Sequence, residues 1–595
     1  MKTMKYMIAA VACVLLLASC EDFLDVNKTK DSPTTVSVEQ ALPVACFYAS
    51  QLCYDHAEYG VYMSQALTTS SKSQTGSFPY SQGWEFLSIN RHPMWRRHFY
   101  DLGANIEKLK EIATDNGSLN YVLIARTIML HSTMLTTDLF GEMPRSEVYQ
   151  TASPRYDSQQ EIYDWMFQEA DELVRLYSDE AWTNAPSALP ISEKSDRIYK
   201  GDMMKWAAYA KALRCRLWLR KLPNWDNTPA TCQKIITMVD EVLNDPAWEE
   251  PLYRYSGGTS EQNCPWGPAA PKINSWESRD NRLVSSIPTA FFAHAILGAY
   301  NKKEAYNGYA LDPRADMMMT PRTKGSDAGS ELLRYLESNI GMDISMKTTY
   351  YPDLFASEGH NPYTKNDGYI ALFTEEELLF IKAEALYWAN RKAEAYNVTK
   401  QAVERNMQRF GIDASSLGMV AKYRYDLFWE VRLPGETEFT IADLMQQKYV
   451  AMYLQPEQWT DLRRYNYSSK TNGIFYDGVP VYTVTTCHDG SVDYNKENFS
   501  KEYSLRRPYN LYAPYWDQAD CYEDPATKAV YSPNAWVNRL NPDTETEMKY
   551  NRDELIRLGA CNAGGQADYR WMQKRMIWAH KNPAVCTCSN NIEWK

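Results

Sequence analysis

Beyond its first two dozen residues, this 595-residue chain has no apolar run long enough to cross a bilayer. A spanning helix needs roughly twenty such residues, so the chain is not a polytopic membrane protein. Positive charge is in deficit: 63 Lys and Arg face 75 Asp and Glu, for a net −12. That balance argues against nucleic acid or an anionic membrane surface as a partner. Cysteine is sparse at 12, too few for a disulfide scaffold in so long a chain, and Cys586-Thr587-Cys588 has no second pair at metal-ligand spacing. Of the 8 histidines, His92 and His98 are the closest pair of interest. They lack both the i, i+4 spacing of a helical zinc site and a third ligand, and read as packed or solvent-facing side chains. The chain has no Gly-x-Ser-x-Gly elbow and no glycine-rich phosphate loop. Calcium in the acidic loops has no Asp-x-Asp-x-Asp-Gly motif behind it, and no cofactor or metal is expected. The paired carboxylates of a glycosidase are not legible from spacing, because separation in space defines them.

What is present begins at the N-terminus. Lys2 and Lys5 precede an apolar stretch from Met7 to Ala18, and Leu17-Ala18-Ser19-Cys20 follows the pattern of a bacterial lipobox. Residues 1–19 are therefore read as a lipoprotein signal peptide and Cys20 as the lipidated N-terminus of the mature chain. At roughly 0.8 kcal/mol per buried methylene, several acyl chains hold such a protein firmly to a membrane. Residues 20–36 are polar and broken by Pro33, a tether that reaches roughly 20–25 Å.

Apolar residues recur at i, i+3, i+4 and i+7 over Ala104 to Ile112, Leu119 to Thr136, Glu161 to Leu176 and Asp202 to Leu219, which predicts helices. The clearest pair lies between Thr374 and Phe410. Thr374-Glu375-Glu376-Glu377 has the form of a capping box, its acidic run suits a helix N-terminus, and Gly411 suits the position after a helix end. Small residues at the contact and a short turn at Asn390 give this pair the geometry of a tetratricopeptide hairpin, without a strict 34-residue period. Two long stretches rich in Pro, Gly, Asn and aromatics, about 251–367 and 468–570, interrupt the helical pattern, with a short strand expected at Val479 to Val484.

Aromatic content is 13%, with 43 tyrosines and 18 tryptophans. Trp95, Trp165, Trp206, Trp218, Trp388 and Trp459 fall on helical faces and belong to the core. Tyr80, Trp84, Trp266, Trp276, Tyr512, Tyr515 and Trp516 lie in loop-like sequence, where a large ring either anchors its own segment or is offered to a ligand. These seven are the candidate ligand-binding residues. No catalytic residue is assigned: Asp461-x-Arg463-Arg464 reads as a structural ion-pair turn.

Several segments together resemble the SusD/RagB family of Bacteroidota outer-membrane lipoproteins, nearest its SusD-like second subgroup. They are Cys20-Glu21-Asp22-Phe23-Leu24-Asp25, Leu135-Thr136-Thr137-Asp138-Leu139-Phe140-Gly141-Glu142-Met143-Pro144 and Pro154-Arg155-Tyr156-Asp157. Further along come Lys205-Trp206 with Ala212-Leu213-Arg214-Cys215-Arg216-Leu217, Asp312-Pro313-Arg314, and Glu377-Leu378-Leu379-Phe380-Ile381-Lys382-Ala383-Glu384-Ala385. The last are Gln447-Lys448-Tyr449-Val450-Ala451-Met452-Tyr453-Leu454 and Glu457-Gln458-Trp459-Thr460-Asp461-Leu462-Arg463-Arg464. Lys211 departs from the Asn often found there, and the surplus length of this chain falls in 468–570. The resemblance implies a mainly α fold of tetratricopeptide-like helix pairs with long irregular insertions and a few short strands, forming one domain over 37–595. The helical scaffold would lie mainly in 37–250 and 368–467. It also implies a lipid-anchored protein on the cell surface of the outer membrane, not an enzyme. Such a protein captures glycan and delivers it to a SusC-like TonB-dependent transporter. A peptide ligand on the same architecture, as in RagB, and a surface glycoside hydrolase are the alternatives.

Overall fold

The computed structural model describes residues 37–69, 93–186, 188–259, 262–269, 283, 286–289, 291–298, 311–319, 354, 361–433, 435–469, 475–488, 500–505, 522–523, 530–531, 536–542, 544–561, 564 and 570–579. The architecture is mainly helical. Helix α1 spans Val38–Met63; after a helical turn at Pro93–Arg96 and a π-helix at Arg97–Gly103 come α2 (Ala104–Asp115) and α3 (Leu119–Phe140). Next are α4 (Gln159–Tyr177), α5 (Met203–Leu219), α6 (Pro229–Leu243), α7 (Glu375–Trp388) and α8 (Lys392–Arg409). The series continues with α9 (Met419–Arg432), α10 (Ile441–Ala451) and α11 (Glu457–Arg464). The periodic segments thus all became helices, one to four residues longer than their apolar stripes at several ends.

Local chemistry sets those ends. Ser158 accepts the Glu161 amide at 3.2 Å while the Glu161 carboxylate accepts the Ser158 amide at 2.8 Å, a full capping box that opens α4. Asp202 accepts the amides of Met204 and Lys205 before α5, and Thr228 with Pro229 starts α6. Gly411, at φ +74°, follows the end of α8 in the left-handed conformation that glycine adopts without a Cβ penalty.

Consecutive helices pack on one another from the α2–α3 pair to the α7–α8 pair, and α1 lies across α2, α3 and α11. Short connections make successive helices neighbours, as in tetratricopeptide hairpins. The tightest pair is α7 with α8, where Ala383, Ala385, Ala395 and Ala402 are all buried and let the backbones approach. Trp95, Trp206 and Trp459 are fully buried, and Trp165, Trp218 and Trp388 pack half-buried on the core, as their helical positions require.

The strands are short antiparallel clips. They are β1 (Leu67–Thr69), β2 (Met143–Pro144), β3 (Tyr156–Asp157), β4 (Leu252–Arg254), β5 (Ser286–Pro288), β6 (Tyr369–Ala371), β7 (Thr483–His488) and β8 (Ser500–Ser504), with a further two-residue pair at Tyr522–Glu523 and Val530–Tyr531. The pairings are β1 with β5, β2 with β3, β4 with β6, and β7 with β8. The β4–β6 pair places Leu252 opposite Ala371 and closes the first long insertion at its base. That closure explains how α6 and α7 pack directly although more than a hundred residues separate them. The strand expected at Val479 to Val484 starts later. Val481 and Tyr482 are buried and the Tyr482 amide donates to the Ser468 carbonyl at 2.9 Å, so their alternation serves core packing and the ladder begins at Thr483.

Candidate functional site

Several of the segments that stood out in the sequence converge in the interior, where they form an ionic framework. Arg216 on α5 donates to both carboxylate oxygens of Glu377 on α7, at 2.6 and 2.7 Å. One turn on, Arg220 makes a bidentate pair with Glu457 of α11, at 2.8 and 2.7 Å, and reaches Asp138 of α3 at 3.0 Å. Arg464 pairs bidentately with Glu384 of α7, at 2.8 and 2.7 Å, and also with Asp461 at 2.7 Å. Lys448 of α10 stands between those two carboxylates, 3.7 Å from Glu384 and 3.0 Å from Asp461. Arg463 lies over the Trp459 ring at 3.8 Å and donates to the carbonyls of Asp138 and Asn538. Two satellite clusters follow the same logic. Arg314 grips Asp312 and reaches Asn406 and Gln447, and Glu142 receives Arg539 and Lys574.

All ten charged side chains of the central framework are buried. Removing such charges from water is unfavourable, and only good geometry with full hydrogen bonding offsets it. Burial works to raise the Glu457 carboxyl, but the guanidiniums of Arg220 and Arg216 outweigh it and hold the group well below the usual carboxylate range. His131 bridges the framework to the apolar core. Arg216 donates to its Nε2 at 2.8 Å, so Nδ1 carries the proton and donates to Tyr209 Oη at 2.7 Å. A neutral imidazole is required there, and burial pushes its pKa well down.

This framework corrects one expectation and extends another. The acidic run Glu375-Glu376-Glu377 does not serve chiefly to charge a helix N-terminus. Thr374 accepts the Glu377 amide at 3.4 Å, but the Glu377 side chain turns inward to Arg216, and Glu376 is buried against Arg409 and Asn406. A buried guanidinium is a stronger partner for the carboxylate than the cap amide, so the reciprocal half of the box is absent. The Asp461–Arg464 turn is an ion pair as expected, within a larger network. Arg216 in the last turn of α5 and Arg220 at its C-cap, four residues apart and so on one face, are the signal in the sequence that such a network exists.

Acid should dismantle the fold in two stages. Burial holds the folded pKa of His56 and of His98 down at about 3, against an ordinary 6.5, so the unfolded chain binds more protons below that value and stability falls as pH drops through it. Glu142 is held at about 2, because Arg539 and Lys574 outweigh its burial, against an ordinary 4.5. Its contribution is fully present above 4.5 and is lost as pH falls towards 2. Urea midpoints measured across pH 8 to 3 are expected to stay level to about 6.5 and then decline, more steeply below 4.5. A flat midpoint down to pH 4 would contradict these assignments.

Buried and mutually neutralised, these carboxylates are not placed to protonate or attack a substrate. Among the described residues no group of three or more His, Cys, Asp or Glu is placed to hold a metal ion. His98 is buried with Nδ1 2.7 Å from Ser132 Oγ.

Of the seven candidate ligand rings, Trp266 is described, and it is not offered to solvent. It is 2% exposed and packs edge-on against Tyr54 with ring centroids 4.6 Å apart. The Cys264 amide donates to the Asn366 carbonyl at 2.8 Å, which ties this loop to the base of the insertion and turns the ring inward. The crevice beside it, lined by Cys53, Tyr54, Trp266, Tyr363 and Tyr369, leaves no room for a water molecule. Trp266 therefore anchors its loop. Tyr80, Trp84, Trp276, Tyr512, Tyr515 and Trp516 lie outside the described residues, as do Cys20, the 1–19 signal peptide and the 20–36 tether. The described surface carries other exposed rings that no sequence pattern marked: Tyr100, Tyr149, Tyr423, Phe475 and Tyr550. Among the described residues no helix is long and apolar enough to cross a membrane.

Residues 43–475 match the SusD-like family described as starch-binding and associating with the outer membrane. No curated protein matches the sequence. Among solved structures, a SusD/RagB family protein from Bacteroides thetaiotaomicron is similar with a TM-score of 0.58 and 16% identity, covering 92% of this chain and 99% of the other. A SusD homologue from Parabacteroides distasonis gives 0.57 and 18%, covering 92% and 97%. A chitin-binding protein gives 0.54 and 17%, covering 89% and 99%. At these identities the likeness shows the fold.

Proposed function

This chain belongs to the SusD-like family of starch-binding, outer-membrane-associated proteins, and from that premise we propose that it captures glycan at the cell surface and hands it, uncleaved, to a SusC-like TonB-dependent transporter. The observation that carries the binding reading is where the family's segments go. Asp138, Arg216, Glu377, Glu384, Lys448, Glu457, Asp461 and Arg464 of those segments lie locked in a buried framework, which leaves recognition to surface rings and loops. Diacylated Cys20 would hold the domain to the membrane, and the tether would let it lean over a neighbouring channel. Flat rings with polar neighbours suit the C–H faces of sugars. Each hydrogen bond to a sugar hydroxyl competes with water and nets only about 0.5–1.5 kcal/mol, so capture would be weak enough to permit release. Trp84, Trp276 and Trp516, with Tyr80, Tyr512 and Tyr515, are the rings proposed to stack on the glycan.

Native affinity electrophoresis of the full chain against a polysaccharide panel that includes soluble starch and glycol chitin tests this. At least one polysaccharide is expected to retard the protein without being shortened, and alanine at a contacting tryptophan should weaken retention about tenfold, near 1.4 kcal/mol. Shortening of the chain by the purified protein would favour a glycosidase. Retention by a peptide library alone would favour a peptide ligand. A transporter of the TonB-dependent class should co-purify with the lipidated protein.

A further inference from the structure

Two exposed tyrosines stand on a surface that the sequence did not mark. Tyr100 is 51% exposed on the π-helix, and Tyr149 is 43% exposed on the loop after β2. The Tyr149 hydroxyl is not what faces water. It donates to the Phe99 carbonyl at 2.5 Å, and burial raises its pKa, with the Glu107 carboxylate and the Tyr100 phenol adding to the effect. What Tyr149 shows to solvent is therefore the ring itself, while its hydroxyl meets the Phe99 carbonyl, immediately before Tyr100, and Gly103, one turn before Glu107 of α2.

Three unusual features hold that ring in place. Tyr149 sits at φ +64°, a backbone region that bulky residues rarely enter and that persists only when the surroundings enforce it. Gly103 ends the π-helix where any Cβ would overlap the Tyr149 hydroxyl. The π-helix is itself a rare conformation often found at functional positions, and it is pinned by Arg97, which reaches Asp101 at 2.8 Å and Asp55 at 3.3 Å. The loop is equally fixed, since the amides of Arg145 and Ser146 both donate to the Asp157 carboxylate at 2.8 Å. A rigid ring face beside a second tyrosine and a carboxylate matches the C–H face and hydroxyls of a pyranose.

We propose that Tyr149 and Tyr100 form a further sugar-stacking platform for a neutral polysaccharide, additional to the rings that the sequence marks. This rests on the glycan-binding reading. The test compares the full chain with Tyr149→Ala, Tyr100→Ala and the double variant in the same gels, using whichever of soluble starch or glycol chitin retards the wild type, or failing both the strongest polysaccharide of the panel. Each single substitution is expected to weaken retention roughly fivefold, within the range for one aromatic contact. Tyr100→Ala, at a half-exposed position, should leave the melting temperature unchanged, which keeps the test independent of Tyr149 folding effects. Tyr149→Phe keeps the ring but frees it from the Phe99 carbonyl and should fall between wild type and Tyr149→Ala. Retention equal to wild type in Tyr100→Ala and Tyr149→Ala overturns the platform and leaves glycan capture standing. A wild-type chain that no polysaccharide retards overturns both.

Discussion

Replacing Arg464 with methionine is expected to cost the fold about 3–5 kcal/mol, a large share of the roughly 5–15 kcal/mol that holds a typical domain together. The side chain is fully buried and is the common partner of Glu384 and Asp461. Its removal leaves two carboxylates facing the single ammonium of Lys448. It also orphans the Leu222 carbonyl, which accepts from Arg464 at 2.7 Å. Arg464→Lys should rescue little, because an ammonium cannot reproduce the two parallel hydrogen bonds to Glu384. Urea denaturation followed by far-UV circular dichroism would read the loss. A midpoint within error of wild type would show that the network is not the structural element described. The double change Arg464→Met with Glu384→Leu is the informative partner. It removes a pair instead of half of one, and should recover part of the stability.

Asp138 is the second such position, and its loss acts on more of the chain. Its carboxylate accepts from Tyr163 of α4, from Arg220 of α5 at 3.0 Å and from the Trp578 indole at 2.9 Å. One buried carboxylate thus joins three helices to the C-terminal turn. Asp138→Ala is expected to destabilise by about 3–5 kcal/mol, since Arg220 keeps only Glu457 and two buried donors lose their acceptor. Asp138→Asn retains the shape and some acceptor capacity, so its cost should be smaller, about 1.5–3 kcal/mol for hydrogen bonds that lose their charge. Tryptophan fluorescence adds a specific readout. If Trp578 is held by this contact, the Ala variant should show a red-shifted component before the main unfolding transition. A single transition identical to wild type would separate the C-terminal turn from Asp138.

The local Asp461–Arg464 ion pair was legible in the chain, but the distant partners of both residues were not. Asp138, Arg216, Glu377, Glu384 and Arg464 lie in the segments that resemble the family, yet nothing in their spacing says that they meet. They come from α3, α5, α7 and α11 and converge only when those helices stack. The Glu375–Glu377 run shows the limit most clearly. Its one-dimensional pattern is that of a helix cap, and an arginine some 160 residues earlier in the chain redirects the side chain that would complete it. Trp266 shows the same limit for the surface. A tryptophan between two prolines in a loop can anchor its own segment or face a ligand, and the contact with Tyr54, more than 200 residues away, turns it inward. Tyr149 is the converse case. No pattern distinguishes it from other tyrosines, because its exposure depends on a backbone angle, on Gly103 and on a carbonyl from a different segment.

Periodicity and capping chemistry were enough to place the helices, because each depends on residues three or four apart, within reach of a single turn. The lipobox-like pattern and the order of the family-like segments were likewise local, and they pointed to the family without any knowledge of contacts. Which charges neutralise one another, which rings are buried and which face water depend on groups brought together from distant parts of the chain. Burial and pairing are properties of the packed molecule, and they have no counterpart in the order of the residues.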